Sequence, residues 1–218
     1  MPRAAEKAAP RWTRRKDARP QELIDAAVEA FVEKGYAATK LDDVAARAGV
    51  SKGTLYLYFD NKEHLFTEVI QRALVPNLQL AEQAIENHTG PTADLIRLLV
   101  ERWWQQIGGG PLGGLPKLMV AEAGNFPDIA KIFLRDVYER GQRLIRAIIQ
   151  RGIDRGEFRA VDPVAIARVV MTPLLFHAMW KRSMGRHETR PIADRRYLDA
   201  TIDLMLHGLA VPTSKPNP

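Results

Sequence analysis

Apolar residues recur at helical spacing along almost the whole chain, and this pattern limits the fold more than any other feature. Leu23, Ala27 and Phe31 recur every fourth residue after Pro20, and similar stripes follow as far as residue 209. A half-buried strand would instead alternate apolar and polar residues, and no segment does so. The sequence therefore predicts an all-α protein of about nine helices, three short ones followed by several long ones.

Two of the short helices come first. The first helix is predicted to begin at Pro20 and to end at Gly35, and the second ends at Gly49. The N-cap of the second helix is either Thr39 or Lys40. We favour Thr39, because its hydroxyl can accept a hydrogen bond from a free backbone N–H group and a lysine side chain cannot.

The third helix has room for only about two turns. Ser51 is predicted to cap it, and Asp60 or Asn61 caps the helix that follows. Leu55 and Phe59 are four residues apart, so they share one face and are expected to pack on the core. The remaining side chains lie on the neighbouring and outer faces: Lys52, Gly53, Thr54, Tyr56, Leu57 and Tyr58.

Two short helices joined by a glycine turn form a helix-turn-helix, whose second helix enters the major groove of DNA. Lys52 can reach a phosphate or a guanine edge, and Thr54 a base. Tyr56 and Tyr58 can reach phosphates with their hydroxyl groups. Alternatively, Tyr56 is a half-buried core residue.

The segment GYAATKLDDVAARAGVSKGTLYLYFDNKEHLF resembles the DNA-binding domain of the TetR family of bacterial transcriptional regulators. The resemblance covers about residues 20–66, and AGVSKGTLYLYFDNKEHL is its most specific part. It implies DNA contacts at these positions: Thr39, Lys40, Ser51, Lys52, Gly53, Thr54, Tyr56, Tyr58 and Lys62.

Two positions depart from the family pattern. Position 40 is usually a small hydroxyl residue, so Lys40 is either a phosphate contact or a solvated lysine. Position 58 is often histidine, although tyrosine also occurs. Farther along, LMVAEAGNFPDIAKIF at 118–133 is similar to the C-terminal domain of the AefR-like branch of the family.

Charge is spread unevenly along the chain, which has a formal net charge of +6. Residues 1–20 carry seven Lys or Arg and two acidic residues, whereas residues 21–60 carry four and seven. Such a basic tail suits a polyanion partner, as a minor-groove arm or in non-specific DNA coating. A solubilising tail explains the charge equally well. Deleting residues 1–18 should abolish non-specific coating but only weaken site-specific binding.

Composition and motifs argue against several other classes. The chain has no cysteine, so disulfides and thiolate chemistry are excluded and a cytoplasmic location is expected. Neither an apolar signal region nor about 18 uncharged apolar residues in a row occur, and no membrane partner is expected. Glu122 and His177 are the only candidates for a helical enzyme, and no catalytic or metal-binding motif surrounds them. We predict neither catalysis nor a cofactor or metal.

The predicted organisation has four parts. Residues 1–19 form a basic tail, 20–66 the helix-turn-helix domain, 67–211 a ligand-binding and dimerisation domain, and 212–218 a frayed end. Within the third part, the glycine-rich segment 107–116 is either a connection or a flap over a pocket.

Residues 67–211 hold two further predicted sites. Residues that line a ligand pocket are of the same types as ordinary core residues, and the resemblance to the family favours a pocket. The candidates for binding an apolar effector are Leu99, Trp103, Met119, Glu122, Phe133, Val137, Met171 and Leu175. The last two long helices, at 162–184 and 193–209, are predicted to form a four-helix bundle with a second copy. The dimerisation candidates are Ala167, Val170, Leu174, His177, Ala200, Leu204 and Gly208.

The predicted function is a homodimeric, ligand-responsive repressor that binds a palindromic operator in double-stranded DNA. One helix-turn-helix reads only a few base pairs, so two copies related by a two-fold axis are needed. The alternatives are a helix-turn-helix regulator controlled by a protein partner without a small molecule, and a helical enzyme.

Overall fold

The computed structural model describes residues 19–211. The frayed end predicted at 212–218 and residues 1–18 of the tail predicted at 1–19 lie outside the described residues, and Arg19 is the first residue of α1. In that range the chain forms nine continuous helices and no strand, which confirms the all-α prediction.

The first three helices are α1 (Arg19–Lys34), α2 (Leu41–Arg47) and α3 (Lys52–Tyr56). Next come α4 (Lys62–Val69, a π turn Ile70–Leu74, then Val75–Asn87) and α5 (Thr92–Trp103 with a π turn Trp104–Gly108). The last four are α6 (Leu115–Glu122), α7 (Pro127–Phe133, a π turn Leu134–Tyr138, then Glu139–Asp154), α8 (Pro163–Lys181) and α9 (Asp194–Leu209).

The N-terminal unit, residues 19–69, is built around one apolar core. Leu23, Phe31, Leu55, Leu65 and Phe66 have no exposed surface. The Phe31 and Phe66 rings meet edge to face with centroids 5.4 Å apart, a favourable aromatic geometry. The predicted packing of Leu55 and Phe59 into the core is confirmed.

The caps of the short helices set the path of the chain. The Ser51 hydroxyl accepts a hydrogen bond from the Thr54 N–H at 3.1 Å, and the Asn61 side chain accepts from the His64 N–H at 2.7 Å, as predicted. The prediction that Thr39 caps α2 is wrong. Lys40 is the N-cap residue, and its backbone N–H donates to the Asp43 carboxylate at 3.3 Å.

The C-terminal unit, residues 70–211, surrounds a cavity. Small apolar clusters hold its helices together at two places, one around Ile149 and Leu209 and one around Leu174 and Leu198. All three π turns contribute side chains to the cavity wall, among them Leu74, Ile107 and Val137. The first π turn ends two residues before Pro76, which has no backbone N–H to continue the α-helical pattern.

The glycine-rich segment is a packed connection between α5 and α6. It contains a 3-10 turn at Pro111–Gly114. Gly113 and Gly114 are buried, and a Cβ atom at Gly114 would collide with Val32 of α1. The Arg182 guanidinium donates hydrogen bonds to the carbonyl oxygens of Gly108, at 2.7 Å, and Gly110. These contacts favour the connection over the flap.

Candidate DNA-binding surface and internal cavity

Helices α2 and α3 form the helix-turn-helix that the sequence predicts. The turn between them passes through Gly49, whose φ of +66° is costly for residues with a Cβ atom. The Val50 N–H donates to the Ala45 carbonyl at 3.0 Å and closes the end of α2. Leu55 of α3 is fully buried in the core, so the opposite face of this short helix points toward solvent.

The exposed face of α3 carries a cation, a glycine and an aromatic ring. Lys52, Gly53 and Tyr56 are exposed, and Thr54 is half-buried. The Lys52 ammonium lies 2.9 Å from the Asp42 carboxylate and 5.8 Å from the centre of the Tyr56 ring. Both charged side chains are more than half exposed. Such a surface ion pair is weak, so a phosphate can replace Asp42 as the partner of Lys52.

Two predicted DNA contacts are directed into the protein instead. Thr39 is 1% exposed, and its hydroxyl donates to the Gly35 carbonyl at 2.7 Å. The Lys62 ammonium donates to the carbonyl oxygens of Tyr36 at 2.7 Å and Ala37 at 3.0 Å. Burial lowers the pKa of Lys62 below its ordinary value. Neither side chain reaches the face formed by α3.

The other predicted contacts lie at the surface to different degrees. Lys40 and Ser51 are exposed, and Tyr58 is half-buried against the core. The DNA contacts of these residues stay predictions. Leu57, which the sequence places on the outer side of α3 but not among the DNA contacts, is 83% exposed at the end of that helix.

A cavity of about 830 Å³ lies between α4, α5, α6, α7, α8 and α9. All but one of the predicted ligand-binding residues lie on its wall: Leu99, Trp103, Met119, Phe133, Val137, Met171 and Leu175. The wall also includes Val170 and Leu174, which we had predicted to lie at a dimer interface. Side chains contributed by the π turns, such as Leu74 and Ile107, were missed because nothing in the sequence marks a π turn.

The cavity wall is almost wholly apolar. Its few polar side chains are Asn77, Arg102, Gln105, Gln106, Tyr138 and Gln142. Arg102 is the charged residue of the wall, and no carboxylate lies among the described residues that form it. Arg102, Gln105 and Gln106 are also exposed, so polar groups gather where the cavity approaches solvent.

Glu122 is not part of the cavity, contrary to prediction. It is the last residue of α6, and its carboxylate accepts a hydrogen bond from the Ala37 N–H at 3.2 Å. The Glu122 carboxylate therefore binds the backbone of the N-terminal unit and does not face the cavity.

The residues predicted to form a dimer face are exposed on one helix and mostly covered on the other. On α9, Ala200, Leu204 and Gly208 are exposed, and Leu204 is 75% exposed. On α8, by contrast, Ala167 and Leu174 are buried inside the chain. The large apolar residues that α8 exposes are Val164, Val169 and Phe176.

His177 is also a core residue rather than a surface one. Its ring stacks on Tyr197, with centroids 3.9 Å apart, and on Trp104 at 5.2 Å. Its Nε2 atom lies 3.5 Å from an Asp194 carboxylate oxygen. Burial lowers the pKa of His177, and the charge of Asp194 partly opposes this. Glu122 and His177 thus have separate surroundings, which gives no support to an enzyme built on them.

Comparison with known proteins identifies the family of the chain. Residues 23–69 match the family described as bacterial regulatory proteins, tetR family, and residues 86–204 match the tetracyclin repressor-like C-terminal domain. The chain belongs to the TetR family. It is therefore a DNA-binding transcriptional regulator, and its family consists of regulators rather than enzymes. The similarity of residues 118–133 to the AefR-like branch stays a prediction.

Individual relatives agree with this assignment. The HTH-type transcriptional repressor KstR2 of Rhodococcus jostii is 41% identical over 206 residues, which cover 90% of this chain and 94% of the relative. FadR from Bacillus subtilis, solved in complex with stearoyl-CoA, has the same fold, with a TM-score of 0.72, 19% identity and 87% and 98% of the two chains covered. The ketosteroid regulator KstR2 of Mycobacterium tuberculosis also shares it, with a TM-score of 0.69, 21% identity and coverage of 90% and 97%.

Proposed function

We propose that this regulator is a homodimeric repressor that leaves a palindromic operator when a small apolar molecule fills its cavity. The observation that carries the proposal is the cavity itself. At about 830 Å³ it has the size of a small-molecule site, and it lies directly behind the unit that carries the helix-turn-helix. A purely structural core would be packed without so large a void.

The apolar surface of α8 and α9 supports a dimer. By length and composition, Pro163–Lys181 is apolar enough to cross a membrane, yet only 22% of its most apolar window is buried in the chain. The same helix is anchored on one side by Ala167, Leu174 and Ala178. A second copy would cover the other side, together with Leu204 of α9, and would set two α3 helices one DNA turn apart.

The chemistry of the cavity wall supports an effector with a large apolar body and an anionic end. The apolar body would occupy the wall formed by residues such as Leu99 and Phe133, and the anion would lie near Arg102. Stearoyl-CoA, which is bound to the Bacillus subtilis relative, combines these features. We therefore propose an acyl thioester of a long or polycyclic acid as the effector class.

The dimer is tested with Leu204→Arg. Placing a cation on the exposed face of α9 should give monomers by light scattering, because a dimer would have to bury the charge. Operator binding should fall about 100-fold or more, since linkage of two sites multiplies their affinities. The control is Leu98→Arg, which changes a leucine that is 41% exposed on α5. A Leu204→Arg protein that stays dimeric would move the interface elsewhere.

Effector binding is tested on the unmodified protein. An operator selected from random DNA sequences should be a palindrome bound by two protomers. Saturating stearoyl-CoA should raise the melting temperature and lower operator affinity. Failure of both stearoyl-CoA and the corresponding free acid to bind would instead favour control by a protein partner.

A further inference from the structure

Helix α6 lies between the cavity and the N-terminal unit. Met119 and Val120, with Ala123 just beyond the helix, line the cavity. Glu122 lies on the same helix but outside the cavity wall. Its carboxylate instead contacts the segment that joins α1 to α2. A displacement of α6 by a ligand would therefore move Glu122 relative to that segment.

The Glu122 carboxylate is fitted closely to this segment. One carboxylate oxygen accepts a hydrogen bond from the Ala37 N–H at 3.2 Å. A Cβ atom added at Gly35, where φ is +85°, would lie 3.1 Å from that same oxygen. Glycine at position 35 thus permits both the left-handed backbone and the approach of the carboxylate.

The same segment is also held by the helix that follows the recognition helix. Lys62, the first residue of α4, donates to the Tyr36 and Ala37 carbonyl oxygens and lies 4.5 Å from the centre of the Tyr36 ring. The Tyr36 ring also meets Phe126, just after α6, at 4.8 Å. The backbone of residues 36–37 is therefore bonded by both Lys62 and Glu122.

We propose that Glu122 is a positioning residue that transmits occupancy of the cavity to the recognition helix through the backbone of residues 35–37. This inference rests on the proposed effector response of the cavity. A ligand can shift the orientation of α3 only if it favours one of two arrangements of the protein. The hydrogen bond between Glu122 and Ala37 is a contact that exists in one arrangement and can be lost in the other.

The first test measures operator affinity with and without stearoyl-CoA. In the unmodified protein, saturating stearoyl-CoA should lower operator affinity about tenfold or more. Glu122→Ala should bind stearoyl-CoA normally by calorimetry, but its operator affinity should change by less than about twofold when the ligand is added, because the link is cut. Glu122→Gln keeps an acceptor oxygen and should retain most of the response.

The matched control is Asp128→Ala. Asp128 is an exposed carboxylate on α7, and within residues 19–211 its ion-pair partner is the nearby Lys131 at 2.8 Å. This variant should respond to stearoyl-CoA like the unmodified protein. If Glu122→Ala is released as efficiently as the control, the role of Glu122 is wrong and the proposed function stands. If stearoyl-CoA binds to all variants and releases none, the proposed effector response is wrong.

The second test needs no effector, because coupling is reciprocal. Operator DNA should change amide hydrogen exchange in residues 115–123 of the unmodified protein and of Asp128→Ala. The change should disappear in Glu122→Ala even at DNA concentrations that saturate binding. An unchanged exchange pattern in the unmodified protein, or an equal change in Glu122→Ala, would overturn the inference whichever effector the protein binds.

Discussion

The two units of this regulator are packed in opposite ways. In residues 19–69, the large side chains of Leu23, Phe31, Leu55 and Phe66 meet in one core and have no exposed surface. In residues 70–211, helices of greater length surround about 830 Å³ of space. The first unit must present α3 in a fixed orientation to DNA. Under the proposed function, a ligand that fills the void of the second unit would supply the free energy to change that orientation.

The first prediction compares one leucine from each unit and has the largest expected effect. Leu55→Ala should lower the free energy of unfolding by about 3 kcal/mol, because it opens a cavity in a filled core. Leu99→Ala should cost only about 1 kcal/mol, since that side chain is half-buried and already faces a void. Urea unfolding followed by circular dichroism measures both.

Leu57→Ala is the control for the leucine pair. This side chain is 83% exposed, so its removal should change stability by less than about 0.5 kcal/mol. Equal losses for Leu55→Ala and Leu99→Ala would mean that the cavity collapses in solution. The contrast between a filled and a hollow unit would then be lost.

The second prediction concerns the contact between Glu157 and the start of α5 in the C-terminal unit. The Glu157 carboxylate accepts hydrogen bonds from the Arg155 side chain and from the Thr92 backbone N–H at the start of α5, both at 2.5 Å. Burial alone would raise the pKa of Glu157, but these hydrogen bonds outweigh it and lower the pKa to about 2. The carboxylate thus caps α5 from a distant part of the chain.

Glu157→Gln should therefore cost about 2 kcal/mol of stability at pH 7. Because the folded pKa lies below the ordinary 4.5, the stabilisation is complete above pH 4.5 and is lost as the pH falls toward 2. Unfolding measured between pH 7 and pH 3 should show the difference from the unmodified protein shrinking. The control is Glu139→Gln, an exposed residue of α7, and a loss for Glu157→Gln that is constant with pH would contradict the assignment.

Local sequence was sufficient to predict much of the N-terminal unit. The caps Ser51 and Asn61 and the buried face of α3 follow from residues within one or two helical turns of each other. The inward direction of Lys62 was missed because its partner Tyr36 lies 26 residues earlier in the chain. That of Thr39 was missed because its hydroxyl bonds carbonyl oxygens of Gly35 and of Ala30 in the preceding helix. Only the tertiary fold shows that these polar groups are needed to satisfy backbone carbonyl oxygens.

The C-terminal unit was harder to predict in detail. Helix α8 is apolar on all sides, so periodicity cannot show which side faces solvent. The sequence-based choice of Ala167 and His177 for the dimer face was therefore not supported by periodicity. The structure buries both residues and exposes Phe176. Glu122 was misplaced for a related reason, since its partner Ala37 is 85 residues away along the chain. Contacts at that separation leave no periodic signal.

The last prediction tests whether the exposed charges of the N-terminal unit serve DNA binding rather than stability. Lys52→Ala should leave the free energy of unfolding almost unchanged, because its ion pair with Asp42 is exposed. Operator affinity should nevertheless fall about tenfold, and the salt dependence of binding should decrease by about one unit if Lys52 contacts a phosphate. Fluorescence anisotropy at several salt concentrations measures both the operator affinity and its salt dependence.

The control is Lys131→Ala, which removes the same charge from an exposed ion pair on α7 and should leave operator affinity unchanged. Equal losses for the two variants would show that α3 attracts DNA only through the net charge of the protein, and the compact N-terminal unit would then have no specific contact at Lys52.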